Sequence, residues 1–241
     1  MDLSIIIPAF NEEKRLPAFM RSIISYLKAK EISAEIIVVD DGSEDGTSEV
    51  AEKFKSMWDG SIILERLEYN MGKGFAVRHG MLKAKGRYRL FCDADGSTPI
   101  EELDRLMLQM KETGSDIAIG SRAIKSDDTK VIARWYRKLS GRIFNFIMNL
   151  IIVPDIKDTQ CGFKLFTQRS AEAIFSLSFV NGFAFDIEVL FLARKLGFKV
   201  IEVPINWHHV HGSKVSLIYD SPSMVFDALT AILKHRTVKG K

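Results

Sequence analysis

Short apolar, β-branched runs alternate with amphipathic segments along the first 120 residues. Leu3–Ile7, Glu35–Val39, Ser61–Leu64, Tyr88–Cys92 and Asp116–Ile119 have the length and composition of strands. Between them apolar positions recur at helical spacing, which predicts helices over about 15–30, 45–58, 73–84 and 99–113. Strands that are apolar throughout and separated by helices fit an α/β fold, a mostly parallel sheet with helices on both faces. The second half is less regular. A basic, then apolar, helix is expected over about 132–152, ending before Pro154. Further helices are expected at 170–177, at 186–196 ahead of Gly197, and at 223–236 behind Pro222, with a strand at Lys199–Val203. No internal repeat or long linker interrupts the chain, so 1–241 is read as a single domain.

Parallel sheets of this kind bind ligands outside the carboxyl ends of their strands. Those ends carry Pro8-Ala9-Phe10-Asn11-Glu12, Asp40-Asp41-Gly42-Ser43 and Asp93-Ala94-Asp95-Gly96, so three polar clusters fall on one edge. Asp93 and Asp95, two apart, share a face, and paired carboxylates repel unless a cation sits between them. Mg²⁺ or Mn²⁺ suits such a pair, although Asp-x-Asp-Gly is also a common solvated turn. At the second cluster Ser43 or Asp45 suffices to cap a helix, and the doubled acid in excess of that need favours contact with a base or ribose. Asn70-Met71-Gly72-Lys73-Gly74, with Arg78 a turn later, offers glycines, a helix N-terminus and two cations to an anion, without the spacing of an NTPase loop.

Composition narrows the classes. With 46% hydrophobic and 27% charged residues the chain can build a substantial core, and a net charge of +3 is too small for a nucleic-acid binder. Lys125, Lys130, Arg134, Arg137, Lys138 and Arg142 precede the apolar run Ile143–Val153, and Lys234, Arg236, Lys239 and Lys241 crowd the last helix, a pattern suited to anionic lipid or phosphate. No run approaches the ~20 apolar residues of a spanning helix, and no signal peptide opens the chain. Cys92 and Cys161 are too few for a disulfide framework, which points to a reducing, cytosolic compartment. His208, His209 and His211 lack zinc-site spacing and read as a loop whose Ser213 and Lys214 touch phosphate. Asp186 and Glu188 suit the start of a helix.

Taken together, Ile7 to Glu12, Asp40 to Ser43, Asn70 to Lys73 and Asp93-Ala94-Asp95 resemble a family 2 glycosyltransferase of the GT-A, Rossmann-like fold. Asp93 to Thr98, Asp158-Thr159-Gln160-Cys161-Gly162-Phe163-Lys164-Leu165-Phe166, Ala184-Phe185-Asp186, and Asn206-Trp207 with Gly212-Ser213-Lys214 resemble dolichyl-phosphate glucose synthases, with the mannose synthases as nearest relatives. The resemblance implies a nucleotide-sugar half, 1–120, and an acceptor half, 121–241, with amphipathic helices at a membrane. It implies that Pro8, Ala9, Glu12 and Asp41 hold the nucleoside and that Asp93 and Asp95 bind metal. Arg122, Lys164, Ser213 and Lys214 would surround the phosphates, with Lys73 on the donor and Arg142 beside the acceptor. Ser97 stands where mannose synthases carry Gln, which favours the glucose branch and UDP-glucose.

The implied reaction moves glucose to a polyprenyl phosphate with inversion, on the cytoplasmic face of a membrane, assisted by Mg²⁺ or Mn²⁺. A phosphate monoester, with a second pKa near ~6, is already ionised and needs no strong base. A sugar-hydroxyl acceptor would instead need one, and Asp158 and Asp186 are the candidates. A GDP-mannose donor is the other alternative.

Overall fold

The computed structural model describes residues 1–58, 60–132, 156–210 and 217–238, and only the backbone at 132 and 217–222. The expected helix at 132–152, Arg142, His211, Ser213 and Lys214 lie outside the described residues. The remaining expected elements form near their predicted bounds. They are β1 (Leu3–Ala9), α1 (Leu16–Ala29), β2 (Ala34–Asp40), α2 (Thr47–Lys55), β3 (Ser61–Arg66), α3 (Lys73–Lys83), β4 (Tyr88–Cys92), α4 (Glu102–Thr113) and β5 (Ile117–Ser121). After β5 come α5 (Gln168–Phe175), α6 (Phe185–Lys195), β8 (Val200–Pro204) and α7 (Leu217–His235). The last helix begins at Leu217 rather than 223 and takes Pro222 into its body.

Three strands were not foreseen: β6 (Val131–Ile132), β7 (Phe163–Thr167) and β9 (Trp207–His208). The two-residue pair β6–β9 is too short to carry a period. In β7 the charged Lys164 interrupts an apolar run, and the segment becomes a strand because it is gripped on both sides. The main sheet runs β3-β2-β1-β4-β7-β5-β8, and β7 lies antiparallel to both β4 and β5 while the other neighbours are parallel. One sheet therefore continues across residue 120.

Alternate residues of each strand face opposite layers. Ile5, Ile7, Ile36, Val38, Leu90, Phe163 and Leu165 pack under α1, α2 and α4. Ile6, Ile37, Val39, Phe91, Ile117 and Phe166 pack under α3, α5, α6 and α7. Full burial of each large side chain stabilises by ~1.5–3 kcal/mol, and a one-residue slip would exchange the two sets, so the register is firmly fixed. Among the described residues no helix is long and apolar enough to cross a membrane. Because β7 runs backwards, its first residue lies beside the last of β4, and the Asp93 N–H donates to Gly162 O at 3.0 Å. The segment 158–162 is thereby delivered to the edge where the parallel strands end.

Candidate active site

At that edge Asp40, the last residue of β2, and Asp41, which follows it, divide their work. Asp40 is fully buried and accepts from the Ser43 N–H at 2.9 Å and from the Ser48 hydroxyl, tying its own turn to α2. Asp41 accepts from the N–H groups of Met71 and Gly72 at 2.7 and 2.9 Å. Burial raises its pKa, against the pull of those amides. The excess acid that suggested a ligand thus has a protein partner, the turn that opens α3, although a carboxylate retains lone pairs for a nucleoside.

The same contacts revise the expected anion site. Gly72 adopts φ +99°, and Gly74 N–H and Phe75 N–H donate to Asn181 O at 2.7 and 3.2 Å. With Asp41 and Asn181 filling these amides, the helix N-terminus is spent on protein. Arg78 turns to Asn181 Oδ1 at 2.9 Å and stacks over Phe75. What remains for a ligand is the Lys73 side chain, together with Arg78 Nη1, which is buried and has no hydrogen-bond partner among the described residues.

Lys73 Nζ stands 2.6 Å from Asp93 Oδ1. Burial alone would lower the Lys73 pKa, but Asp93, Asp186 and Asp95 outweigh it and hold the ammonium above its ordinary value. The Asp93 side chain is 37% exposed, yet its Oδ1 is buried and accepts no hydrogen bond of ordinary geometry. Asp95 accepts from the Ser97 N–H at 2.9 Å through Oδ1, and its Oδ2 lies 4.0 Å from Arg15 Nη1. Arg15 also grips Glu12 through its Nε at 2.7 Å.

These groups fit a divalent cation. Asp93 presents a buried oxygen whose charge partner is the Lys73 ammonium, Asp95 a second carboxylate, and among the described residues no group of three His, Cys, Asp or Glu forms a complete cage. Mg²⁺ and Mn²⁺ are suited to such partial sites, because they keep waters and substrate phosphate oxygens as their remaining ligands. Backbone holds the pair in place. A Cβ at Gly162 would stand 2.0 Å from Asp93 Oδ2, so only glycine leaves room for this carboxylate.

Arg122, at the end of β5, is fixed by Asp158. Its Nε and Nη2 donate to the two carboxylate oxygens at 2.7 and 2.8 Å, its backbone N–H adds a third bond at 2.9 Å, and its guanidinium lies over Trp207. Burial would raise Asp158, but Arg122 outweighs it and holds the carboxyl below the usual range. Three bonds to one carboxylate fix the orientation of Arg122. Glu202 secures the turn by accepting from the Lys157 and Asp158 N–H groups, each at 2.8 Å.

Lys164, expected beside the acceptor phosphate, is fully buried. Its ammonium donates to Cys161 O at 2.6 Å and to Asp186 Oδ1, beneath the Asp93–Lys73 pair. Burial raises the pKa of Asp186, and Lys164 and Lys73 partly offset the rise. Burial also pushes the Cys161 thiol up to about 12. The contact expected of Lys164 is therefore indirect in this structure: it supports Asp186, which faces Lys73. Pro8 and Ala9 close β1 at the same edge.

Sequence reasoning overlooked Arg15 and Glu202, and named Gly162 and Trp207 only within motifs, without a role for either. An acid inside the apolar strand β8 was a signal for Glu202, whereas nothing local marked Arg15.

The chain matches Glycosyl transferase family 2 over residues 4–175. A dolichyl-phosphate beta-glucosyltransferase of Drosophila melanogaster is 40% identical over 228 residues, 90% of this chain and 70% of that protein. The Saccharomyces cerevisiae protein of that name is 38% identical, covering 93% of this chain and 72% of its own. Glucosyl-3-phosphoglycerate synthase from Mycobacterium tuberculosis, solved with Mn²⁺ and UDP-glucose, superposes with a TM-score of 0.68 at 17% identity, over 95% of this chain and 78% of that one.

Proposed function

The chain belongs to glycosyl transferase family 2, and from that premise we propose that it transfers glucose from UDP-glucose to dolichyl phosphate with inversion at the anomeric carbon. Relatives that cover most of the chain carry the glucosyl group and the dolichyl phosphate of this reading in their names, and a solved structure of the same fold holds UDP-glucose. The observation that carries the chemistry is Asp93, a carboxylate pinned by Gly162, with one buried oxygen and a lysine as its counter-charge.

In the reaction a phosphate oxygen of the acceptor attacks the anomeric carbon. The bond from that carbon to UDP breaks, and UDP leaves with the electron pair. A divalent cation on Asp93 and Asp95 would supply Lewis-acid neutralisation of the departing diphosphate. Lys73 adds positive charge beside it, and Arg122, locked in one orientation by Asp158, presents a preorganised cation to the phosphates. Glu12, Pro8, Ala9 and Asp41 line the edge where the nucleoside would sit. Neither Asp158 nor Asp186 is an unpaired base, since Arg122 holds one and Lys164 the other. A phosphate acceptor, ionised before it binds, does not need one.

The lipid side of the reading rests on α7. Phe226, Leu229 and Leu233 are 70, 42 and 64% exposed. At helical spacing they fall within ~60° of one another, opposite the buried Met224, Ala228 and Ala231. Lys234 and Arg236 adjoin this stripe. An apolar stripe beside cations suits an interfacial helix on anionic lipid, and anionic lipids concentrate on the cytoplasmic leaflet, where we place the protein peripherally. The test is transfer of labelled sugar from UDP-glucose, GDP-mannose and UDP-N-acetylglucosamine to dolichyl phosphate or to free sugars, with Mn²⁺ or Mg²⁺. Lipid-linked label from UDP-glucose alone is the expected result, and label only on free sugars would refute it.

A further inference from the structure

We propose that Lys73 is the resident counter-ion of Asp93 and that metal and nucleotide bind interdependently because the lysine must change partners. The inference rests on the reading that Asp93 and Asp95 hold the metal. In the structure the ammonium stands 2.6 Å from Asp93 Oδ1, the oxygen that is buried and otherwise lacks a hydrogen bond. Gly162 closes one side of the Asp93 carboxylate, and the Asp93 N–H is bonded to Gly162 O at 3.0 Å, so its backbone is held and its side chain is bounded on that side. A cation arriving at this oxygen meets a positive charge already in contact with it. Like charges that close repel unless one retreats.

Lys73 is the more movable of the two. Its side chain is 23% exposed and sits on the first residue of α3, whereas Lys164 is fully buried and bonded to Asp186. A diphosphate bound at the same edge gives the ammonium a new anionic partner and leaves Asp93 to the metal. Nucleotide therefore tightens metal binding, and by linkage metal tightens nucleotide binding by the same factor. Part of that coupling comes from direct metal–phosphate bonds, and Lys73 supplies the remainder.

The experiment measures Mn²⁺ binding by the resonance signal of free Mn²⁺, with and without UDP, in wild type, Lys73→Met, Lys73→Arg and Asp93→Asn. Lys73→Met should bind Mn²⁺ without UDP about tenfold more tightly than wild type and gain less from UDP. Lys73→Arg, which keeps the charge, should stay near wild type. Unchanged or weaker binding in Lys73→Met, with binding lost in Asp93→Asn, overturns the role of Lys73 alone. Undiminished binding in Asp93→Asn overturns the metal site itself, and the inference with it.

Discussion

Gly162 and Asp93 meet so closely that a single methyl group between them has no place: a Cβ on the glycine would stand 2.0 Å from Asp93 Oδ2 and 2.5 Å from Oδ1. The strand order produces this contact. Only because β7 is inserted antiparallel beside β4 does residue 162 arrive at the first residue after Cys92.

Gly162→Ala must therefore displace the Asp93 carboxylate. A shift of ~1 Å at a reacting centre costs about 10²-fold in rate. The expected outcome is a drop of that order in kcat/KM with a thermal midpoint close to wild type, read by lipid-linked label and by calorimetry. A fully active variant would show that Asp93 has other productive positions.

Asp158→Asn should free Arg122 and flatten the acid limb of stability. The folded pKa of Asp158 is depressed below an unfolded value of about 4. Its contribution is thus complete above that value and is lost as pH falls through the depressed one. Urea unfolding of wild type between about pH 5 and about pH 2, against the variant, reads the difference. Kinetically the variant should raise KM or lower kcat through Arg122 while leaving the pH of half-maximal rate in place. An acid or base role for Asp158 would move it.

Lys164→Met strands Asp186 in a buried site, and breaking such a pair costs roughly 3–5 kcal/mol. The double variant Lys164→Met with Asp186→Leu should recover most of that stability without recovering activity. A single variant as stable as wild type would contradict the pairing seen here.

Much of this was legible in the chain. Full-length apolar runs such as Ile5–Ile7 and Ile36–Val39 announced buried parallel strands, and turn residues after β1, β2 and β4 marked the ligand edge. The partners of the polar residues were not legible. The doubled Asp40-Asp41 read as an excess of acid because sequence gives no hint that Met71 and Gly72 lie beside Asp41. The phosphate contact of Lys164 came from the resemblance alone, and nothing local shows that the residue faces Asp186 across two elements. Strand β7 owes its existence to its neighbours, and propensity seldom sees such tertiary override.

The exposed stripe on α7 yields a prediction independent of the chemistry. Replacing Phe226, Leu229 and Leu233 by Ser should weaken binding to vesicles rich in anionic lipid at least tenfold, by co-sedimentation. These side chains already face solvent, so the thermal midpoint should barely move. Equal vesicle binding would place the lipid contact elsewhere.

Transfer of labelled glucose from UDP-glucose to dolichyl phosphate, measured with Mn²⁺ or Mg²⁺ and again in excess chelator, bears most directly on the two carboxylates. Wild type should form lipid-linked glucose only while the divalent ion is present, and Asp93→Asn or Asp95→Asn should lose several kcal/mol of transition-state stabilisation, a rate lower by about 10²-fold or more. Transfer at the full rate in chelator, or in either variant, would contradict a metal-held diphosphate as the leaving group's support.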